Sequence, residues 1–278
     1  MLSEINDFMR NHCAPLHAVA KTLAAPWMRT DAPAISVVRR LHGQTLRLHP
    51  RFMTSNLDAI ESEVMLWMRQ SLRPGSTALD IGANVGLHTV YMAKLVGDTG
   101  MVAAFEPSPA NLRLLRYHVQ VNNLAQAQVV QKAVTNQDSG TLPFFLLNGG
   151  DHSSNSLTFG RENVPNLDQA LHQARRATEV EVVSVDRFCA DANAAPDLIK
   201  IDVEGAEFQV LQGAVRTLDS ARPKIILAIH PWWLPPGQTT GDIVAFLADR
   251  DYAILDYAGN RVTRLEYAEY LCEPLKGK

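Results

Sequence analysis

Thr77-Ala78-Leu79-Asp80-Ile81-Gly82-Ala83-Asn84-Val85-Gly86-Leu87-His88-Thr89 is the stretch on which the fold turns. Its apolar opening, ending at Asp80, reads as a buried parallel strand. Gly82 and Gly86 then mark a tight turn, and Leu87 onward carries apolar residues at helical spacing. Strand, glycine turn and helix form the opening of a nucleotide-binding βαβ unit. Gly82 permits a close backbone approach, and the following helix offers free N–H groups.

The spacing narrows the class of nucleotide. A dinucleotide turn places its third glycine where Leu87 stands, which disfavours a nicotinamide-dependent oxidoreductase. The frame is acid-x-Gly-x-Asn-x-Gly, with Asp80 two residues before Gly82. Met101-Val102-Ala103-Ala104-Phe105-Glu106 reads as the next strand, with Glu106 at its carboxyl end. An acid roughly 20 to 25 residues beyond such a turn can accept both ribose hydroxyls. The competing readings are a glycine turn that only packs a helix on a strand, and a solvated acid at a strand end.

The rest of the chain sets bounds. At 278 residues, with 46% hydrophobic and 20% charged residues, it is long and apolar enough for a sizeable core. A formal charge of −3 argues against a generic nucleic-acid binder. No apolar run reaches the roughly 18 to 20 residues of a membrane-spanning helix. The first seven residues lack the basic start and apolar core of a signal peptide. Cys13, Cys189 and Cys272 are far apart, so neither a disulfide framework nor a thiolate zinc site is expected. A reducing cytoplasm fits that usage.

Residues 3–29 read as one or two amphipathic helices, 44–49 as a short strand and 58–72 as a helix stopped by Pro74-Gly75. Residues 1–74 are taken as a helical N-terminal cap, covering the substrate side or forming an oligomer contact, and 75–278 as the cofactor-binding domain. A helix over 110–121 follows Glu106. Residues 128–134 read as a third strand, 141–147 as one arm of an inserted antiparallel pair, and 148–165 as a loop. Further strands are expected over 180–185, 197–202 and 224–230, with helices over 205–218 and 242–250. Residues 252–256 and 261–263 suggest a closing hairpin. This order predicts an α/β fold with a mostly parallel sheet, an antiparallel edge and helices on both faces.

The first motif resembles that of S-adenosylmethionine-dependent methyltransferases, with Asn84 in place of their middle glycine. With Phe105-Glu106-Pro107, Val185-Asp186 and Ile199-Lys200-Ile201-Asp202-Val203-Glu204-Gly205-Ala206-Glu207, the chain is similar to the FkbM family of these enzymes. The resemblance spans roughly residues 60 to 235. It implies a Rossmann-like seven-stranded sheet and methyl transfer, usually to a hydroxyl of a sugar, glycan or natural product. It also implies that Asp80, Gly82, Asn84, Gly86 and Glu106 hold S-adenosylmethionine, with Ala133 beside the adenine; Ala83, His88 and Thr89 complete the expected cofactor set.

Removing a proton from an acceptor hydroxyl calls for a base at the carboxyl ends of the strands. Asp202, Glu204 and His230 are of the right type and are the catalytic candidates. Each has a structural alternative: Asp202 as a helix N-cap, Glu204 and Glu207 as acids favoured by a helix dipole, His230 as a histidine satisfied at a strand end. Lys200, inside an apolar strand, needs an acidic partner. Trp232 and Trp233 are placed to stack on a sugar or to pack a lid, and His152, Ser153, Ser154 and Asn155 to line the substrate. Asp202 and Glu204 are hard ligands suited to a divalent cation, yet two acids near a helix start do not assign one. N-methylation of an amine and a non-catalytic cofactor-binding protein are the alternative functions.

Overall fold

The computed structural model describes residues 34–53, 55, 57, 61–146, 157 and 176–275. Its centre is a seven-stranded sheet in the order β11-β12-β10-β9-β3-β4-β5. The parallel strands are β3 (Thr77–Ile81), β4 (Met101–Phe105), β5 (Ala127–Val130), β9 (Leu198–Ile201) and β10 (Lys224–Ile229). β12 (Ala268–Pro274) runs antiparallel between β10 and the edge strand β11 (Tyr252–Leu255). The chain enters at β3, builds outward to β5, then returns to β9 on the other side. Its direction of growth therefore reverses between β3 and β9, where an open α/β sheet leaves a crevice at its carboxyl edge.

Period-two alternation sorts the strand side chains onto two apolar layers. Leu79, Ile81, Ala103, Phe105, Ile199, Ile201, Ile225 and Leu227 share one core with side chains of α4 (Val185–Ala192), α5 (Glu207–Gln212), α6 (Val215–Ser220) and α7 (Thr240–Ala248). Ala78, Val102, Leu198 and Ile226 face the other way. They pack with α1 (Ser62–Ser71), α2 (Leu87–Val96) and the hairpin of β1 (Val37–Leu41) and β2 (Gln44–Leu48). α3 (Pro109–Val121) adds Leu112 and Leu115 beside Ala83 and Ala104. Both faces are thus covered, which is why the central strands are continuous apolar runs.

The hairpin is tied to the glycine turn through His118 of α3. Burial keeps this imidazole neutral, lowering its pKa to about 4. Its Nε2 accepts the His49 N–H at 2.9 Å, which leaves Nδ1 to donate to the Val85 carbonyl at 2.7 Å. Asn122 completes the join, exchanging hydrogen bonds with the backbone of Arg47.

Several elements differ from the sequence expectation. The run 128–134 is two strands, because Lys132 N–H turns back to the Val130 carbonyl. Its second half, β6 (Ala133–Val134), joins a separate three-stranded sheet with β8 (Arg176–Val183) and β7 (Thr141–Leu146). The expected strand over 180–185 stops at Val183, since Ser184 caps α4. The helix expected over 205–218 is broken into α5 and α6 at Gly213. A Cβ there would stand 2.2 Å from the Thr135 carbonyl oxygen, so the chain is pinned against its neighbour. The closing hairpin is reduced to a single Leu255–Arg261 bridge, and β12 is the strand that completes the sheet. The helices expected over 3–29, the start of the helix at 58, and all of the loop 148–165 but Leu157 lie outside the described residues.

Candidate functional site

A cleft opens at the carboxyl ends of β3, β4 and β9. Gly82, Asn84, Glu106, Asn111, Lys132, Ala133, Phe144, Asp202 and Glu204 are among its walls. Gly82 shapes it: at φ +83°, an added Cβ would lie 1.8 Å from the Asp202 carbonyl oxygen. The glycine turn and the loop after β9 are therefore in backbone contact. Asn84 stands at φ +51°, a left-handed conformation that asparagine tolerates, which accounts for its standing where the related motif has glycine.

Glu106 is held from three sides. Its Oε2 accepts the Asn84 N–H at 2.8 Å, and its Oε1 accepts the Ser108 N–H at 2.8 Å and the Asn111 amide at 3.4 Å. Burial raises its pKa to about 7, against the opposing pull of those donors. Asp80 is fully buried, accepts from the Thr89 hydroxyl at 2.5 Å, and lies opposite Lys200 in the β3–β9 register. Among the described residues its Oδ1 is buried with no hydrogen-bond partner, one position before Ile81 of the cleft lining. A nucleoside-bearing sulfonium fits these donors and acceptors: Glu106 for a diol, the left-handed turn for close approach, and Asp80 for a positive or N–H-bearing group.

Asp202 and Glu204 of the cleft wall also belong to a second constellation. Lys200 Nζ donates to Asp202 Oδ2 at 2.9 Å, so the acidic partner expected for the buried lysine is present. Burial alone would lower the Lys200 pKa, but the charges of Asp202, Asp80 and Glu61 reverse this and raise it. Burial would raise Asp202, yet Lys200 and His230 hold it below the usual carboxylate range. His230, at the end of β10, sets Nδ1 on Glu207 Oε1 at 2.7 Å. Its Nε2 lies 3.6 Å from Glu204 and 3.9 Å from Asp202. Burial would lower the imidazole pKa, but Glu207, Glu204 and Asp202 together raise it to about 9. Asp202 is not a helix N-cap: that position of α5 belongs to Ala206, and Asp202 directly follows β9.

The structure thus brings Asp202, Glu204 and His230 together, and Gly82, Asn84, Glu106 and Ala133 around the cleft. Ala83 and Gly86 lie in the turn behind it, and Thr89 serves Asp80. His88 sets Nε2 3.0 Å from Glu61 Oε2, near enough for its charge to act on Asp202, and is not among the residues lining the cleft. His152, Ser153, Ser154 and Asn155 lie outside the described residues. Two participants, Glu61 and Tyr267, carried no sequence signal, and a third, Glu207, has a role other than the one expected. Glu61, the left-handed N-cap of α1, reaches His88 and the Lys200 charge. Glu207, expected mainly as a helix-dipole acid, orients His230. Tyr267 stands against His230 with ring centroids 5.5 Å apart and against Trp232 at 5.5 Å; only the pairing of Ile229 with Ala268 brings it there.

The sheet order, with one antiparallel strand inserted beside the edge, and the glycine turn at its switch point define a methyltransferase-type α/β domain. Residues 80–254 match the model of the methyltransferase FkbM domain, and the chain belongs to that family. It is 28% identical over 145 residues to Methyltransferase 1 of Beauveria bassiana, a match covering 50% of this chain and 58% of that protein. It is 28% identical over 202 residues to the 31-O-demethyl-FK506 methyltransferase FkbM of Streptomyces tacrolimicus, covering 66% and 75%. Among solved structures, the methyltransferase FkbM of Methylobacillus flagellatus matches with a TM-score of 0.45 and 18% identity over 75% of this chain and 50% of the other. The matched region is thus little more than half the length of the first relative.

Proposed function

We propose that this chain transfers a methyl group from S-adenosylmethionine to a hydroxyl oxygen of a ring-bearing small molecule, a sugar, glycan or natural product. The observation that carries this reading is the sharing of Asp202 and Glu204 between two places. Both line the cleft, and both face His230 Nε2, so an acceptor held at the carboxylate–imidazole cluster lies directly beside the cofactor. When bound, S-adenosylmethionine supplies a methyl carbon already activated by its sulfonium. The chain has to hold the acceptor oxygen close and in line, and take its proton.

The proton passes to the carboxylate pair of Asp202 and Glu204. His230, its Nδ1 held by Glu207, presents Nε2 at the same place. Trp232 and Tyr267, both more than a third exposed and stacked at a tilt next to His230, offer flat faces for an acceptor ring. The relative named for 31-O-demethyl-FK506 acts, by its name, at a demethylated oxygen. Glu61, paired with His88 and acting on the Lys200 charge, supports placing the start of α1 on the acceptor side. Among the described residues no helix is long and apolar enough to cross a membrane, and Cys189 and Cys272 are unpaired and buried; a reducing cytoplasm suits both.

The test is a screen of hydroxylated and aminated ring compounds, with mass detection of a 14-Da gain and release of S-adenosylhomocysteine. Transfer to oxygen acceptors, with KM raised in Trp232→Ala, is expected. Transfer to amines alone would replace this reading with N-methylation, and cofactor binding without turnover on any acceptor would favour a non-catalytic role.

A further inference from the structure

His230 is arranged as a metal ligand more completely than as a surface ion-pair partner. Its side chain is 7% exposed, and Nδ1 faces the fully buried Glu207 at 2.7 Å. Glu207 Oε1 is itself fixed by the Gly205 N–H at 2.9 Å. An imidazole whose inner nitrogen donates to a buried carboxylate has its tautomer and ring plane set, with the outer nitrogen free to bind. That outer nitrogen, Nε2, is aimed at Asp202 Oδ1 and Glu204 Oε2 but stops at 3.9 and 3.6 Å, beyond hydrogen-bond reach of about 3.2 Å. Donors bound about 2.2 Å from one shared ion at tetrahedral or octahedral angles sit roughly 3 to 3.6 Å apart. The observed spacing is close to that and wider than a direct contact.

We propose that Asp202, Glu204 and His230 form a divalent-cation site, with Glu207 as the positioning residue behind the imidazole. Among the described residues, one donor atom from each of these three falls within 4.8 Å of the others. Lys200 takes Asp202 Oδ2, which turns Oδ1 toward the site. Glu204 is held at φ +55°, a left-handed conformation unusual for glutamate that sets its side chain on the same side. One imidazole and two carboxylates suit a first-row divalent cation such as Mn²⁺ better than Mg²⁺, which prefers an all-oxygen shell. Glu204 and Asp202 also wall the cleft, so the cation's open positions face the place where an acceptor oxygen has to lie. The site would hold a hydroxylated acceptor by its oxygens, and in this it rests on the methyltransferase reading above.

The test is a Mn²⁺ titration of the full chain, stripped with chelator, followed by the loss of the free-ion electron paramagnetic resonance signal. Binding of one Mn²⁺ per chain, weakened at least about 10- to 100-fold in His230→Gln, is the expected result, the scale being that of losing one ligand or its support. Glu204→Gln gives a second reading from a more accessible ligand should the histidine variant not fold. Glu207→Gln should weaken Mn²⁺ binding less than either while leaving one ion per chain. No depletion of free Mn²⁺, or equal depletion by wild type and both ligand variants, overturns the proposal. Titrating S-adenosylhomocysteine into the same stripped samples tests the methyltransferase reading separately: cofactor binding without Mn²⁺ sinks only the cation site, and Mn²⁺ binding without cofactor sinks only the methyltransferase reading.

Discussion

Replacing Lys200 with methionine removes a buried cation while nearly preserving volume. The lysine is 3% exposed, donates to Asp202 at 2.9 Å, and lies across from Asp80, which is 0% exposed. Removing one partner of a buried pair costs about 3 to 5 kcal/mol, because a charge is left uncompensated. The Asp202 side chain is 32% exposed, so solvent relieves part of that and the lower half of the range applies. At roughly 2 to 4 °C per kcal/mol for a chain of this size, the melting temperature should fall by about 6 to 15 °C. The assay is differential scanning calorimetry across pH. The folded pKa of Asp202 is depressed in wild type, so its contribution is present above the unfolded carboxylate range and lost as pH falls through the folded value. The gap between variant and wild type should therefore be widest at neutral pH and narrow in acid. A Lys200→Met protein melting within about 2 °C of wild type at neutral pH would refute the argument that Asp80 and Asp202 depend on this cation.

Two further outcomes follow from the cleft. Glu106 must be ionised to accept a diol, and its pKa is near 7, so S-adenosylhomocysteine affinity should rise by about tenfold between pH 6 and pH 8. In Glu106→Gln that slope should vanish and binding at pH 8 should weaken roughly 30- to 150-fold, the loss of a charge-assisted acceptor worth about 2 to 3 kcal/mol; calorimetric titration at the two pH values checks both. Gly82→Ala would drive a methyl group into the Asp202 backbone, so the loop after β9 must shift. Cofactor affinity should fall more than thermal stability, and a variant binding like wild type would show that the contact between the two loops is dispensable.

What the sequence revealed and what it hid have physical reasons. The glycine turn, the strand-end acids and the buried parallel strands were legible because each is written in local backbone conformation or an unbroken apolar run. β1 was not: Val37-Val38-Arg39-Arg40-Leu41 carries two arginines, and Arg39 is nonetheless 8% exposed, its guanidinium taken up by the carbonyls of Phe52, Met53 and Ser55. β12 was hidden by Glu269, Glu273 and Pro274, residues tolerated because the strand completes its pairing between β10 and β11. Within the site, Asp202, Glu204 and His230 were recognisable by residue type at strand ends, but their convergence was not. It depends on β9 and β10 lying side by side, a long-range pairing with no local signature. Glu61 and Tyr267 reach the site from elements placed only by tertiary packing. His88, conspicuous after the glycine turn, pairs with Glu61.

Calorimetric titration of S-adenosylhomocysteine into the wild-type chain at pH 8 tests the central claim most directly, because it needs no knowledge of the acceptor. The cleft at the β3–β9 switch point predicts saturable binding of one molecule per chain, competed by S-adenosylmethionine. Absence of any binding heat or competition at high micromolar ligand would contradict the account, leaving Gly82, Asn84 and Glu106 as a packing device between two strands and a helix.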